Sequence, residues 1–301
     1  MMRTRYDFVL YLDVCGGNIN GDPDNDGAPR IDSETGKGMI TPMCIKRALR
    51  DTVEEVFKDY VGYKMLIARN KVLNEEHYRA YEQEGVSIKE QSKENKNKIE
   101  PADEESKKKV KQYMCKEYYD VRAFGAVMNT RVSCGNTHGP IQFHQSFSVD
   151  PIVTYPQSIT RINRTDRDKD NEISDHGQFG KHYITPYGLY KVTGSIIPQR
   201  AKETGFGGEI GDNNFEKDLE AFIEGLRFLF MYTASTGRGL ITPHRLYFFE
   251  HDSLLGNAQP YYLYKTIRAE KQVDVPREFE DYEIVIDEDS IPGGVTLRKI
   301  F

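Results

Sequence analysis

Tyr6-Asp7-Phe8-Val9-Leu10-Tyr11-Leu12-Asp13-Val14, followed by a Gly-, Asn- and Asp-rich passage and then by Thr41-Pro42, is the stretch that sets the fold. The first run is dense in β-branched and aromatic side chains and predicts a buried strand. The passage from Cys15 to Gly38 is built of turn formers and predicts loop. Thr41 then offers a hydroxyl cap and Pro42 fills the first helical position. From there Ile45, Leu49, Val53, Val56, Phe57 and Tyr60 share one helical face.

The same pattern recurs further along the chain. Ile141, Phe143, Gln145, Phe147 and Val149 alternate with Gln142, His144, Ser146 and Ser148, which predicts a strand with one polar side. Tyr187–Ile197 is a second strand candidate. Asn213 or Asn214 can cap a helix whose apolar face is Phe215, Leu219, Phe222, Ile223, Leu226, Leu229 and Phe230. Thr236-Gly237-Arg238-Gly239 ends it, and His244–Glu250 predicts a last core strand. Residues 61–135 read as an insertion of helix-compatible pieces, with the charged stretch Gln91–Lys111 as a solvated face. Residues 150–186 read as a polar excursion. The order β-α-(insert)-β-(excursion)-β-α-β predicts an α+β fold with a ferredoxin-like core over 1–60 and 136–301. That is also the layout of an RNA-recognition motif. Many functions share it, so it does not assign one.

Composition narrows the class. The chain has 301 residues, 38% hydrophobic and 29% charged, with a mean hydropathy of −0.65. Apolar runs fall short of the ~18 residues that span a bilayer. The start, Met1-Met2-Arg3-Thr4-Arg5, lacks the apolar stretch and cleavage site of a signal peptide, so a cytoplasmic protein without membrane partners is expected. Cys15, Cys44, Cys115 and Cys134 are scattered, which suits reduced, structural cysteines. The formal net charge is −6, yet residues 270–289 alone hold nine acidic against two basic side chains. Local clustering, not the total, decides which partners are attracted.

Cations gather elsewhere. Lys46, Arg47 and Arg50 occupy the first turns of the first helix, where the helix dipole disfavours positive charge. A bound phosphate would reverse that cost; the plain alternative is an exposed amphipathic face. Ser158-Ile159-Thr160-Arg161-Ile162-Asn163-Arg164-Thr165-Asp166-Arg167 interleaves hydroxyls, guanidinium groups and β-branched residues, a mixture suited to phosphate and 2′-OH contacts. An exposed loop explains it equally well in isolation. Gly237-Arg238-Gly239 is no nucleotide fingerprint, but it lets backbone approach a phosphate with Arg238 beside it. Asp22-Pro23-Asp24-Asn25-Asp26-Gly27 opens like a calcium loop, but position 33 is Ser and Glu34 falls one place late. Asp22 and Asp24, or Asp13, are candidates for a metal-dependent ribonuclease, without a second acidic cluster nearby in sequence. The seven histidines form no ligand pattern, and no metal or other cofactor is expected.

The ordered set Gly17-Asn18-Ile19-Asn20-Gly21-Asp22-Pro23, Pro29-Arg30-Ile31-Asp32, Gly36-x-Gly38 and Lys46-Arg47-Ala48-Leu49-Arg50 resembles the N-terminal signature of CRISPR-associated scaffold proteins. The resemblance is to the Cas-seven family, Csd subtype of type I-C systems. Asp120-Val121-Arg122-Ala123-Phe124-Gly125-Ala126, Gly139-Pro140-Ile141-Gln142-Phe143 and Thr236-Gly237-Arg238-Gly239 are similar to it too, so the likeness spans most of the chain. Type I-B members share much of this set. The resemblance implies a modified RNA-recognition fold, the palm, with a helical finger at 61–135 and a thumb hairpin at about 150–186. It implies a non-catalytic subunit that polymerises along a CRISPR guide RNA and presents it to target DNA. Its partners would be copies of itself, other Cascade subunits and a recruited helicase-nuclease. The expected RNA contacts are Asn20, Arg30, Lys46, Arg47, Arg50, Arg122, Gln142, Ser158, Thr160, Arg161, Arg164 and Arg238. Backbone and shape contacts of this kind leave guide bases free to pair. The competing readings are the ribonuclease and an RNA-free structural protein that self-associates through its acidic C-terminal region.

Overall fold

In the computed structural model, which describes residues 4–88, 98–161, 178–208 and 217–301, the opening run forms β1 (Tyr6–Gly17). It is followed by β2 (Lys37–Ile40), α1 (Pro42–Phe57), α2 (Leu73–Glu84), α3 (Glu104–Glu117), α4 (Tyr119–Phe124), β3 (Gly125–Asn129) and β4 (Ser133–His138). Next come β5 (Ile141–Phe143), β6 (Ser146–Pro151), β7 (Tyr155–Arg161), β8 (Gln178–Ile196), α5 (Pro198–Thr204) and α6 (Lys217–Arg227). The chain closes with β9 (Leu240–His251), α7 (Pro260–Lys265), β10 (Ile267–Lys271), β11 (Tyr282–Ile286) and β12 (Val295–Lys299). This is a mixed α+β chain around one large antiparallel sheet. Its strands run β12-β9-β1-β8-β6-β2, and β5 and β7 also pair with the long β8.

β1 is interior to the sheet and covered on both faces, which is why it reads as a nearly continuous apolar run. Phe8, Leu10, Leu12 and Val14 point to the face on which α1 and α6 pack, with Ile45, Leu49, Val53, Phe222 and Leu226. Val9 and Tyr11 point to the other face, where Leu263, Ile267, Phe279 and Tyr282 cover them. The acidic stretch 270–289 is therefore part of a sheet cover built from α7 and the β10–β11 hairpin. α1 and α6 meet closely at Gly225, where a Cβ would stand 2.7 Å from Leu49 Cδ2.

The region 61–135 has its own core. Leu66, Ala80, Tyr81, Val110, Met114, Tyr118, Met128 and Val132 cluster there. Part of the charged stretch is thus more than a solvated face. Asp103 caps α3 by accepting from Ser106 N at 2.8 Å, and Val110 and Met114 turn inward. Residues 91–97 lie outside the described residues. α4 joins the two cores: Val121 faces the smaller one, while Tyr119, Ala123 and Phe124 face the larger.

Other departures from the sequence reading have local causes. The passage Cys15–Gly38 is not loop throughout, since β1 extends to Gly17 and Lys37–Ile40 pairs with β6. The alternation from Ile141 to Val149 is broken after Phe143, and the inward parity then flips. Ser146 and Ser148 are buried while Phe147 is 39% exposed. A one-residue shift moves every following side chain to the opposite face. Val56 and Tyr60 are exposed, so the buried stripe of α1 is the narrower set Ile45, Leu49, Val53 and Phe57. Asn213, Asn214 and Phe215 lie outside the described residues. Among the described residues no helix is long and apolar enough to cross a membrane.

Candidate nucleic-acid interface

Strand register brings several of the sequence motifs to one end of the sheet. Gly17 lies opposite Thr185 on β8, and Cys15 opposite Leu240 at the start of β9. The loop after β1, the N-terminus of α1 and the Thr236–Gly239 loop therefore meet there, and the β7–β8 hairpin continues from the same end through Gln178–Ile184. Asn18 N donates to Gly237 O at 3.0 Å. Gly17 is obligatory at this junction: a Cβ would fall 1.8 Å from Arg238 O. Arg30 N donates to Asn20 O at 3.2 Å, and Thr41 Oγ1 to Asn20 Oδ1 at 3.3 Å. Thr41 also caps α1, accepting from Cys44 N at 3.3 Å.

Guanidinium groups stand at this end beside the acidic loop 18–36. Arg30 pairs with Asp22 at 3.0 Å. Arg238 lies over the Phe230 ring at 5.3 Å, and its Nη1 is buried without a hydrogen-bond partner among the described residues. Asn20 Nδ2 is in the same condition. Burial pushes the Cys44 thiol up to about 11, although the charges of Arg238 and Arg30 both pull it down. Free backbone N–H groups, the dipole and two guanidinium groups make such a helix start receptive to an anion.

The three helix cations behave differently from one another. Arg47 donates to Asp51 and to Ile67 O, the latter at 2.9 Å. Arg50 Nε donates to Asp120 at 2.8 Å, and Asp120 also accepts from Leu66 N at 2.8 Å and Ile67 N at 3.0 Å. Local carboxylates thus answer part of the dipole conflict. Lys46 has no acidic partner among the described residues. It is 8% exposed, sits 5.5 Å over the Phe124 ring, and burial followed by Arg50 pushes it down to about 8.

The remaining candidates divide. Ser158 and Thr160 are exposed on β7, Arg161 closes that strand, and Arg164 lies outside the described residues. Gln142 is at the opposite end of the sheet, paired across from Ser195, and donates to Gly139 O at 2.8 Å. Arg122 is a correction. It is fully buried, and binds Asp218 through Nη2 at 2.7 Å and Nε at 2.8 Å. It also donates to Gly62 O at 3.0 Å and Cys115 O at 2.8 Å. It fastens the smaller core to α6 and does not reach the surface.

Of the candidate ribonuclease acids, Asp22 and Asp24 share one turn, where Asp24 N donates to Asp22 Oδ1 at 3.4 Å, but Asp22 also faces Arg30, and Asp13 is buried on the far face of the sheet, 3.0 Å from His244. Sequence reasoning found the Thr41 cap but missed Asn18 and Cys44, whose backbone N–H groups bond to Gly237 O and Thr41 Oγ1. Gly16-Gly17 and Gly237-x-Gly239 were the visible signal of that close approach.

Comparison with known proteins follows from this geometry. The family model for CRISPR-associated protein Cas7 matches residues 4–287. Over 52 residues, 17% of this chain, the sequence is 38% identical to the CRISPR-associated protein Cas7 of Haloferax volcanii; the match spans 15% of that relative's length. A solved "CRISPR RNA-guided surveillance complex, pre-nicking" contains a chain with a TM-score of 0.47 at 17% identity, over 82% of this chain and 78% of that one. A second "CRISPR RNA-guided surveillance complex" contains one with a TM-score of 0.43 at 15% identity, over 82% and 69%. A Type III-B Cmr-beta complex bound to cognate target RNA contains one with a TM-score of 0.39 at 9% identity, over 81% and 60%. The match that runs from residue 4 to residue 287 decides the matter, and this chain belongs to the Cas7 family of CRISPR-associated proteins.

Proposed function

We propose that this chain is a non-catalytic, guide-RNA-binding scaffold subunit of a cytoplasmic CRISPR surveillance complex of type I-C. Copies of it line up along the guide with other Cascade subunits, leave the bases free for target DNA, and hand the target to a helicase-nuclease. The observation that carries this reading is the meeting of Asn20, Arg30, Arg238 and the α1 N-terminus at one end of the sheet. All of these donors suit a sugar–phosphate chain and none forms a base-edge code. Lys46, Arg47 and Arg50 extend the row along α1, and Ser158 and Thr160, exposed on β7, supply the hairpin side. The strand order β9-β1-β8-β6, with α1 and α6 on one face, supports a ferredoxin-like palm. The separate core of 61–135 supports a finger, and the β7–β8 hairpin a thumb.

Co-expression with a CRISPR array, followed by sequencing of the co-purifying RNA, tests the role. Lys46→Glu with Arg238→Glu should reduce guide retention at least about tenfold, and each lost phosphate contact should flatten the log–log salt slope by about 0.7. Unchanged retention in a folded double variant would overturn the assignment. Pull-down with type I-C or type I-B partner subunits decides the subtype. Sustained Mg²⁺-dependent RNA cleavage that Asp22→Ala abolishes would replace the scaffold reading by the ribonuclease.

A further inference from the structure

Between the sheet face opposite α1 and its C-terminal cover lies an open cavity of about 460 Å³. Lys37 from β2, Lys191 from β8, Lys265 at the end of α7 and Arg268 from β10 all line it, and no carboxylate does. In a chain of net charge −6, four cations converging without an acid is not what composition alone would produce. Lys37 and Lys265 have no acidic partner among the described residues. Arg268 has only Glu270, at 3.6 Å and largely in solvent. Lys191 donates to Tyr264 O at 2.5 Å and Ile267 O at 2.6 Å, which leaves one of its three donors. Burial, and then the charge of Arg268, push Lys191 down to about 8. Lys191 and Arg268 thus disfavour each other's charge within the cavity, and an anion bound between them would offset that cost.

Two rings stand beside these cations. Phe147 was turned outward by the break after β5, and Tyr261 is 60% exposed with the Lys265 ammonium 4.2 Å from its centroid. Cations interleaved with exposed aromatic faces, without a fixed set of base-edge partners, are the mark of sequence-tolerant single-strand binding. An acidic protein segment would satisfy the cations but does not account for two exposed rings next to them.

We propose that this cavity binds a nucleic-acid strand other than the guide, holding its phosphates with Lys37, Lys265 and Arg268 and stacking unpaired bases on Phe147 and Tyr261. The site goes beyond the guide-cradling role and does not require it, because it opens on the other face of the sheet from α1.

The test is fluorescence anisotropy of the full chain purified with its co-expressed guide, using labelled single-stranded DNA and RNA that lack complementarity to that guide. Lys265→Glu with Arg268→Glu should weaken binding of both probes at least about tenfold and lower the log–log salt slope by about 0.7 per lost contact. Phe147→Ala with Tyr261→Ala should lose about 5- to 150-fold per stacked base, with the slope retained. Lys265→Glu with Arg268→Glu should leave guide retention on co-expression unchanged, so failure of the guide reading and failure of this one are separable. Probe affinity unchanged in both cavity variants would overturn the proposal. So would loss of a co-purifying acidic protein from the charge variant while oligonucleotide binding persists.

Discussion

Arg122 is the largest fully buried side chain among the described residues, and its place shows how residue type alone misleads. Within Asp120-Val121-Arg122 it looked like a phosphate contact, but its guanidinium lies between Asp218 and the rings of Tyr63 and Tyr119. Removing one member of a buried pair strands the other charge, so Asp218→Asn should destabilise the protein by about 3–5 kcal/mol. Arg122→Met with Asp218→Leu should cost much less, and chemical denaturation midpoints will show the difference. Lys46 supports a pH prediction. Its folded-state pKa is lowered from 10.5 to about 8, so the folded chain binds fewer protons than the unfolded chain between those values. The penalty for charging this buried amine is full below about pH 8 and fades toward 10.5, so its contribution raises stability with pH across that window. Guide binding should move the opposite way, because a neighbouring phosphate favours the protonated amine. Retention should weaken as pH rises through about 8, and Lys46→Arg should flatten the profile; an unchanged profile in that variant would remove Lys46 from the interface.

At the scale of elements, the periodic segments were legible and the junctions were not. Ile45, Leu49 and Val53 on α1, and Phe222 and Leu226 on α6, sit inward as their spacing predicts. The break between β5 and β6 carries no turn residue to announce it; only pairing to two different stretches of β8, Gly194–Ile196 and Tyr190–Lys191, reveals it. The candidate interface is itself a junction. Gly17 lets the backbone of the Thr236–Gly239 loop close against β1, and Gly239, at φ +67°, takes a backbone conformation that suits glycine. Gly17→Ala should push that loop, with Arg238, away from the α1 N-terminus. The expected result is a lowered melting temperature together with reduced guide retention that cannot be restored by lowering the salt. Retention at the native level would show that Arg238 does not need this docking.

At the scale of the whole molecule, charge is segregated by surface rather than averaged. Acidic side chains cluster on the C-terminal cover, while cations gather at the α1 end of the sheet and in the cavity beneath that cover. The same sheet thus carries helices on one face and the cover on the other, with a basic cavity beneath the cover. Sequence by itself determined the β1–α1 unit, the α6 stripe and, at the level of the Cas7 family, the resemblance that the family match upholds. Those features depend on short-range periodicity, capping and ordered motifs, which a linear chain displays directly. Tertiary structure alone decided that Arg122 is internal, that Gln142 lies away from Arg238, that Phe147 faces out, and that Lys37, Lys191, Lys265 and Arg268 share a cavity. These depend on register and on contacts between residues far apart in the chain, and a side chain's surroundings exist only once those distant segments have packed.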